Sequence, residues 1–181
     1  ALGVWQLPSP DSTVTVYTDA SGIAEGIVLM DDRGRVLEDS VWLCDLHPTQ
    51  SARPSSIQHI NVSELNAVLH GIRRLVAMGF SAAKFYCDNK AVVQWVNLSL
   101  SLEKVSITGM YDLLVMRRLR LIQDLVHELN LKISMEWVPT ELNPADFLTR
   151  VPKEIDALDG WSEMLVKLAA DPLYGQGQQQ V

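Results

Sequence analysis

The chain has 181 residues, 48% of them apolar and 20% charged, with a formal charge of −7. That length allows one domain with a well-buried core, and no apolar run reaches the roughly 18 residues of a membrane-crossing helix. The negative charge argues against a free-standing, tight nucleic-acid binder, but not against a site that handles nucleic acid beside a neighbouring domain.

Residues 1–12 read as a linker, and "ALGVWQLPSP" has no charged-then-apolar targeting pattern. The start at Ala1, without a methionine, is expected of a fragment cut from a larger polyprotein. "TVTVYT" at Thr13–Thr18 alternates and predicts a strand ending at Asp19. After the turn "ASG", Ile23–Met30 predicts a second strand; after the turn "DDRG", Arg35–Leu43 predicts a third. Short turns make these an antiparallel meander.

Residues 44–60 are rich in Pro and Ser and read as irregular. Asn61 opens a helix whose Leu65, Val68, Leu69, Ile72, Leu75 and Val76 recur at helical spacing, and Gly79 stops it. Lys84–Asp88 predicts a fourth strand and Asn89–Val96 a short helix, with a connector over 97–109. Tyr111–Asn130 predicts a long amphipathic helix carrying Arg117, Arg118 and Arg120, and Leu131–Val138 a fifth strand. "NPADFLTR", Asn143–Arg150, begins a last helix at Pro144; an acidic segment and a frayed Gln/Gly-rich end fill 152–181. Three antiparallel strands followed by strand–helix alternation imply an α/β domain, a mixed five-stranded sheet flanked by helices over residues 13–151.

Cys44 and Cys87 have no metal-type spacing and read as buried free thiols. Trp95 and Trp137 continue apolar runs and read as core. Arg73 and Arg74 form one solvated, charged helix edge.

Asp19, Glu64, Asp88 and Asp146 fall at strand ends or early in helices, where open α/β sheets concentrate ligand sites. If the first and fourth strands are neighbours, Asp19 and Asp88 lie side by side. Crowded carboxylates need cations, and oxygen ligands suit Mg²⁺ or Mn²⁺. Two such ions serve phosphodiester cleavage. Each acid also has a structural reading. Asp19 suits a turn, Glu64 closes a capping box with Asn61, Asp88 caps the helix that follows, and Asp146 stands cap-like after Asn143.

"VYTDASG", "INVSELNAVLHGI", "KFYCDNKAVVQWV" and "WVPTELNPADFLTR", in this order between Val14 and Arg150, resemble the ribonuclease H domains of retroelement reverse transcriptases. The Asn-x-x-Asp-x-x-Thr-Arg ending is most similar to long-terminal-repeat elements of the gypsy and Bel–Pao kinds. The resemblance implies a ribonuclease H-like fold and cleavage of the RNA strand of an RNA–DNA hybrid to 3′-hydroxyl and 5′-phosphate ends. It implies two Mg²⁺ ions held by Asp19, Glu64, Asp88 and Asp146, with Mn²⁺ substituting. Ser21, Asn61, Ser63 and Asn89 are candidate contacts to sugar 2′-hydroxyls or phosphates; their other reading is turn and cap chemistry.

The implied partner is a polymerase domain of the same polyprotein, and the implied setting is a monomeric domain in the cytoplasm or a virus-like particle. Two departures lower the expected turnover and grip: "PTEL" leaves no room for the histidine loop of cellular ribonucleases H, and "NLSLSLEKVSITG" has no basic helix-and-loop. The alternative function is an inactive connection module of the same fold. An integrase is disfavoured, because Glu comes second and Asp last.

Overall fold

A computed structural model describes residue 9 and residues 12–44, 60–107 and 111–150, all within one unit, Ala1–Arg150. Most of the expected linker at 1–12, most of the 44–60 segment and the whole 152–181 segment lie outside the described residues.

The elements are β1 (Val14–Ala20), β2 (Ala24–Met30), β3 (Val36–Leu43), α1 (Ile60–Ala77), β4 (Ala82–Cys87), α2 (Lys90–Leu100), α3 (Asp112–Glu128), β5 (Lys132–Trp137) and α4 (Asp146–Thr149). A 3-10 turn, Thr140–Leu142, joins β5 to α4. The strands form one sheet in the order β3-β2-β1-β4-β5, antiparallel through β1 and parallel beyond it. This is the mixed sheet with flanking helices expected from the element order.

On β1 the pleat sends Val14 and Val16 to one face and Thr15, Tyr17 and Asp19 to the other. Above the first face lies α1, which buries Leu65, Val68, Leu69, Ile72 and Leu75. Each aliphatic side chain so buried contributes roughly 1.5–3 kcal/mol. Val76, expected on that stripe, is 37% exposed. Helix and sheet meet most closely at Gly71, where an added Cβ would come within 2.7 Å of the Phe85 ring. That contact sets the height of α1, and so of Glu64, above the strands.

The other face carries α4. Gly26, paired in register with Asp19, gives it room: a Cβ there would lie 3.0 Å from Thr149 and 3.1 Å from Leu148. β1 and β4 are neighbours, with Thr18 opposite Cys87, so Asp19 and Asp88 are each the next residue along.

Several boundaries differ from expectation. The α2 helix runs a turn longer, to Leu100, because Ser99 continues its buried face. Within the described residues α4 begins at Asp146 rather than at Pro144, since the Asn143 side chain first holds the Ala145 amide (3.2 Å) and turns the chain. Cys44 is only half-buried, at the open edge beyond β3, while Cys87 is buried.

Candidate metal centre at the ends of β1 and β4

Four elements bring the four acids together. Asp19 is the penultimate residue of β1 and 5% exposed, lying on the α4 face. Glu64, 3% exposed, sits in the second turn of α1, not the first. Asn61 is already inside the helix, so the capping-box reading of Glu64 fails. Asp88 follows the last residue of β4. It is not the cap of α2 either: Asn89 is, its side chain accepting from the Val92 amide (3.2 Å). Asp146 opens α4.

The electrostatics are those of crowding. Burial pushes the Glu64 carboxyl up to about 9, and the charges of Asp19 and Asp88 add to the effect. Burial raises Asp19 to about 6; the Thr149 hydroxyl opposes this, and the charges of Asp88 and Asp146 reinforce it. Ligand atoms of Glu64, Cys87 and Asp88 all lie within 4.8 Å of one another. Burial and the Glu64 charge push the Cys87 thiol up, so it stays protonated and donates to Glu64 Oε2 (3.5 Å). The ligand set is therefore carboxylate oxygen, which suits a hard divalent cation such as Mg²⁺ or Mn²⁺. Among the described residues no cationic side chain is a main influence on Glu64, so a divalent cation would be the group that lets it give up its proton.

Each aspartate is held from outside the set. The Thr149 hydroxyl donates to Asp19 Oδ2 across 130 positions of sequence. Thr140 Oγ1 donates to Asp88 Oδ2 (2.6 Å), and Trp137 Nε1 donates to the Asp88 carbonyl (2.9 Å). The Arg150 guanidinium pairs with Asp146 Oδ2 at 2.6 Å. Asn143, 2% exposed, donates from Nδ2 to the Thr18 carbonyl (2.9 Å) and fastens the α4 approach to β1.

Sequence reasoning missed Thr140, Thr149, Trp137 and Asn143 in these roles. The spacing of Thr149 three residues after Asp146 was the available signal. Trp137 corrects its core reading outright: it is 45% exposed, with Lys90 Nζ 4.4 Å from its ring centre. It shares a face with buried Met135 but lies beyond the cover of α2.

The expected substrate contacts divide. Asn89 Nδ2 donates to Asn61 Oδ1 (2.8 Å), so these two meet at the α1 and α2 starts, both half-buried. Ser21 Oγ accepts from the Ile23 and Ala24 amides (3.1 Å each) and shapes the β1–β2 turn, its structural reading. Ser63 is 2% exposed within α1 and has no surface to present to a substrate.

No family model matches the chain, and no curated protein matches it by sequence. Solved structures do. LC11-RNase H1 in complex with RNA/DNA hybrid aligns at TM-score 0.57 and 19% identity, over 75% of this chain and 93% of that one. The N-terminal RNase H domain of a Mycobacterium tuberculosis protein, solved as a maltose-binding-protein fusion, gives 0.59 and 21% over 86% and 99%. The foamy viral protease–reverse transcriptase with RNA/DNA hybrid gives 0.55 and 15%, over 81% of this chain but only 21% of that one. These neighbours establish that the chain has the ribonuclease H-like fold.

Proposed function

We propose that the chain is a metal-dependent endoribonuclease that cuts the RNA strand of RNA–DNA hybrids, as the ribonuclease H part of a retroelement reverse transcriptase. The observation that carries the reading is the convergence of Asp19, Glu64, Asp88 and Asp146 from four elements, with burial and the neighbouring acids raising Glu64 to about 9. Hybrid-bound neighbours of the same fold, one of them a reverse transcriptase, support the substrate class. The Asn143-to-Arg150 motif supports the gypsy or Bel–Pao kind.

In this reading the four carboxylates hold two Mg²⁺ ions, and Mn²⁺ substitutes. When bound, such a pair supplies activation of water and stabilisation of the leaving 3′-oxygen. The chain's own residues do the positioning. Thr149 and Thr140 orient the Asp19 and Asp88 carboxylates, and Arg150 holds Asp146. Asn61, Asn89 and the Ser21 turn form the rim available to the sugar–phosphate of the RNA strand. A polymerase domain of the same polyprotein supplies most of the grip on the hybrid, which the net charge of −7 does not.

The test is incubation with labelled RNA–DNA hybrid, single-stranded RNA and duplex DNA, with and without Mn²⁺. We expect metal-dependent cutting of the hybrid alone, abolished in Asp19→Asn and Asp88→Asn proteins whose thermal unfolding is still cooperative. Cutting that survives in either variant overturns the assignment. An inert wild-type chain that melts normally identifies the connection module instead.

A further inference from the structure

A small cleft lies on the helical layer, between α1 and α3. About 230 Å³ in volume, it is lined by Asn66, His70 and Arg73 of α1 and by Arg117 and Arg118 of α3, with Leu69 and Leu121 as its apolar walls. None of the residues lining it is acidic. Arg73 is nine residues along α1 from Glu64, roughly 13 Å along the helix axis, so this is not the carboxylate centre.

The floor is organised before any ligand arrives. Glu25 of β2, 7% exposed, accepts from Asn66 Nδ2 (2.9 Å) and lies 3.3 Å from His70 Nε2. Asn66 Oδ1 in turn accepts from Arg118 Nε (3.2 Å). The His70 ring is stacked on Trp42 at 3.9 Å, which fixes it against Glu25. The buried carboxylate is thus engaged by the floor, while Arg118 keeps its terminal nitrogens unpaired among the described residues.

Arg73 and Arg117, both exposed, have no hydrogen-bond or ion-pair partner among the described residues. Their neighbour Arg74 differs: it is ion-paired to Glu38 (3.0 Å) and lies over Trp42. The charged edge expected at Arg73 and Arg74 is therefore split, one arginine committed to the fold and one turned to the cleft.

Three arginines line one small recess with no acidic residue in its lining, in a chain of charge −7, which favours an anionic occupant. Guanidinium forks match phosphate oxygens two at a time. The volume, worth roughly seven or eight waters, has room for a phosphate or a short polyphosphate group with some of its hydration. We infer that the α1–α3 cleft is a phosphate-binding site, taking either a backbone phosphate of a nucleic acid or a free polyphosphate. The inference stands apart from the hydrolytic reading, since it uses none of the carboxylate residues.

The experiment uses the full chain in EDTA, which silences the carboxylate centre. Calorimetric titrations with inorganic pyrophosphate and with a short RNA–DNA hybrid compare wild type with Arg73→Gln/Arg117→Gln and with Arg118→Gln. Because the Asn66–Arg118 bond remains in the double variant, binding can be read even if Arg118→Gln unfolds. A charge-matched control, Arg33→Gln/Lys132→Gln, removes two cations elsewhere. We expect affinity for at least one probe to fall on the order of tenfold in the double variant and to change little in the control.

If the source is a nucleic-acid backbone, hybrid affinity falls and its log–log salt slope drops by about 1–2. If the source is a free polyphosphate, only the pyrophosphate response is lost. Wild-type binding of neither probe, or an equal loss in double variant and control, overturns the site.

Discussion

Asp31, in the turn between β2 and β3, and Glu64, on α1, are buried to the same 3% exposure and sit in opposite surroundings. Asp31 Oδ1 accepts from the Arg33 and Arg35 amides (2.9 and 2.8 Å), and its Oδ2 takes the Arg35 guanidinium at 2.7 Å. Burial alone would raise its pKa, but the Arg35 amide and guanidinium and the Arg33 amide outweigh that and hold it below the usual carboxylate value. Glu64 meets two further carboxylates and a thiol. A buried acid surrounded by donors has completed its chemistry within the fold; one surrounded by acids has not. Burial therefore does not mark a functional acid, whereas the sign of its neighbours does.

The largest test of this contrast is catalytic. Glu64→Gln should lower hybrid cleavage by about three orders of magnitude or more, while Asp31→Asn leaves the rate per folded molecule unchanged. Equal loss in both would erase the distinction between the two acids. A smaller effect is expected one layer out: Thr140→Val frees the Asp88 carboxylate and should reduce cleavage about tenfold without a change in fold. A rate within twofold of wild type would leave Thr140 no positioning role.

Stability should move in opposite directions at the two acids. Asp31→Ala strands two backbone amides and should cost several degrees of melting temperature, unaffected by Mg²⁺. Glu64→Gln should raise the melting point of the metal-free protein at pH 8 and abolish the rise that Mg²⁺ gives wild type. Destabilisation by Glu64→Gln at that pH would contradict the crowding.

The two acids also differ in pH dependence. Glu64 goes from an ordinary 4.5 to about 9 on folding, and Asp19 from 3.8 to about 6, so the folded chain holds the extra protons. Their contribution to stability is complete below the ordinary values and is lost as pH rises towards 9. Metal-free melting points should fall by on the order of ten degrees between pH 5 and 9, with Mg²⁺ flattening the slope. Asp31, whose pKa is lowered, acts the other way and loses its contribution only in acid. A metal-free melting curve that climbs from pH 5 to 9 would refute the raised values.

Much of this was open to a reading of the chain, because alternation and helical spacing report which face is buried. The meander, the apolar stripe of α1 and the adjacency of Asp19 and Asp88 all follow from such periodicity. What periodicity cannot report is where cover stops. Trp137 has the parity of Met135, yet the end of α2 at Lys90 leaves it in the open. Nor can spacing alone separate a cap from a ligand. Asn61 and Glu64 fit a capping box in sequence, and only the start of α1 before Asn61 removes that use. The hydroxyls of Thr140 and Thr149 find their carboxylates through tertiary approach, with Gly26 making space for the second.

The pairing of Asp19 with Thr149 spans almost the whole described unit, and this orders events in time. During synthesis the meander, carrying Asp19, emerges before the α4 segment that fastens it. Contacts of such long range also form late in refolding, after the sheet has paid its loop-closure entropy. Nascent chains therefore pass through a stage with Asp19, Glu64 and Asp88 present and α4 absent. The centre becomes complete only after the whole sheet has been made.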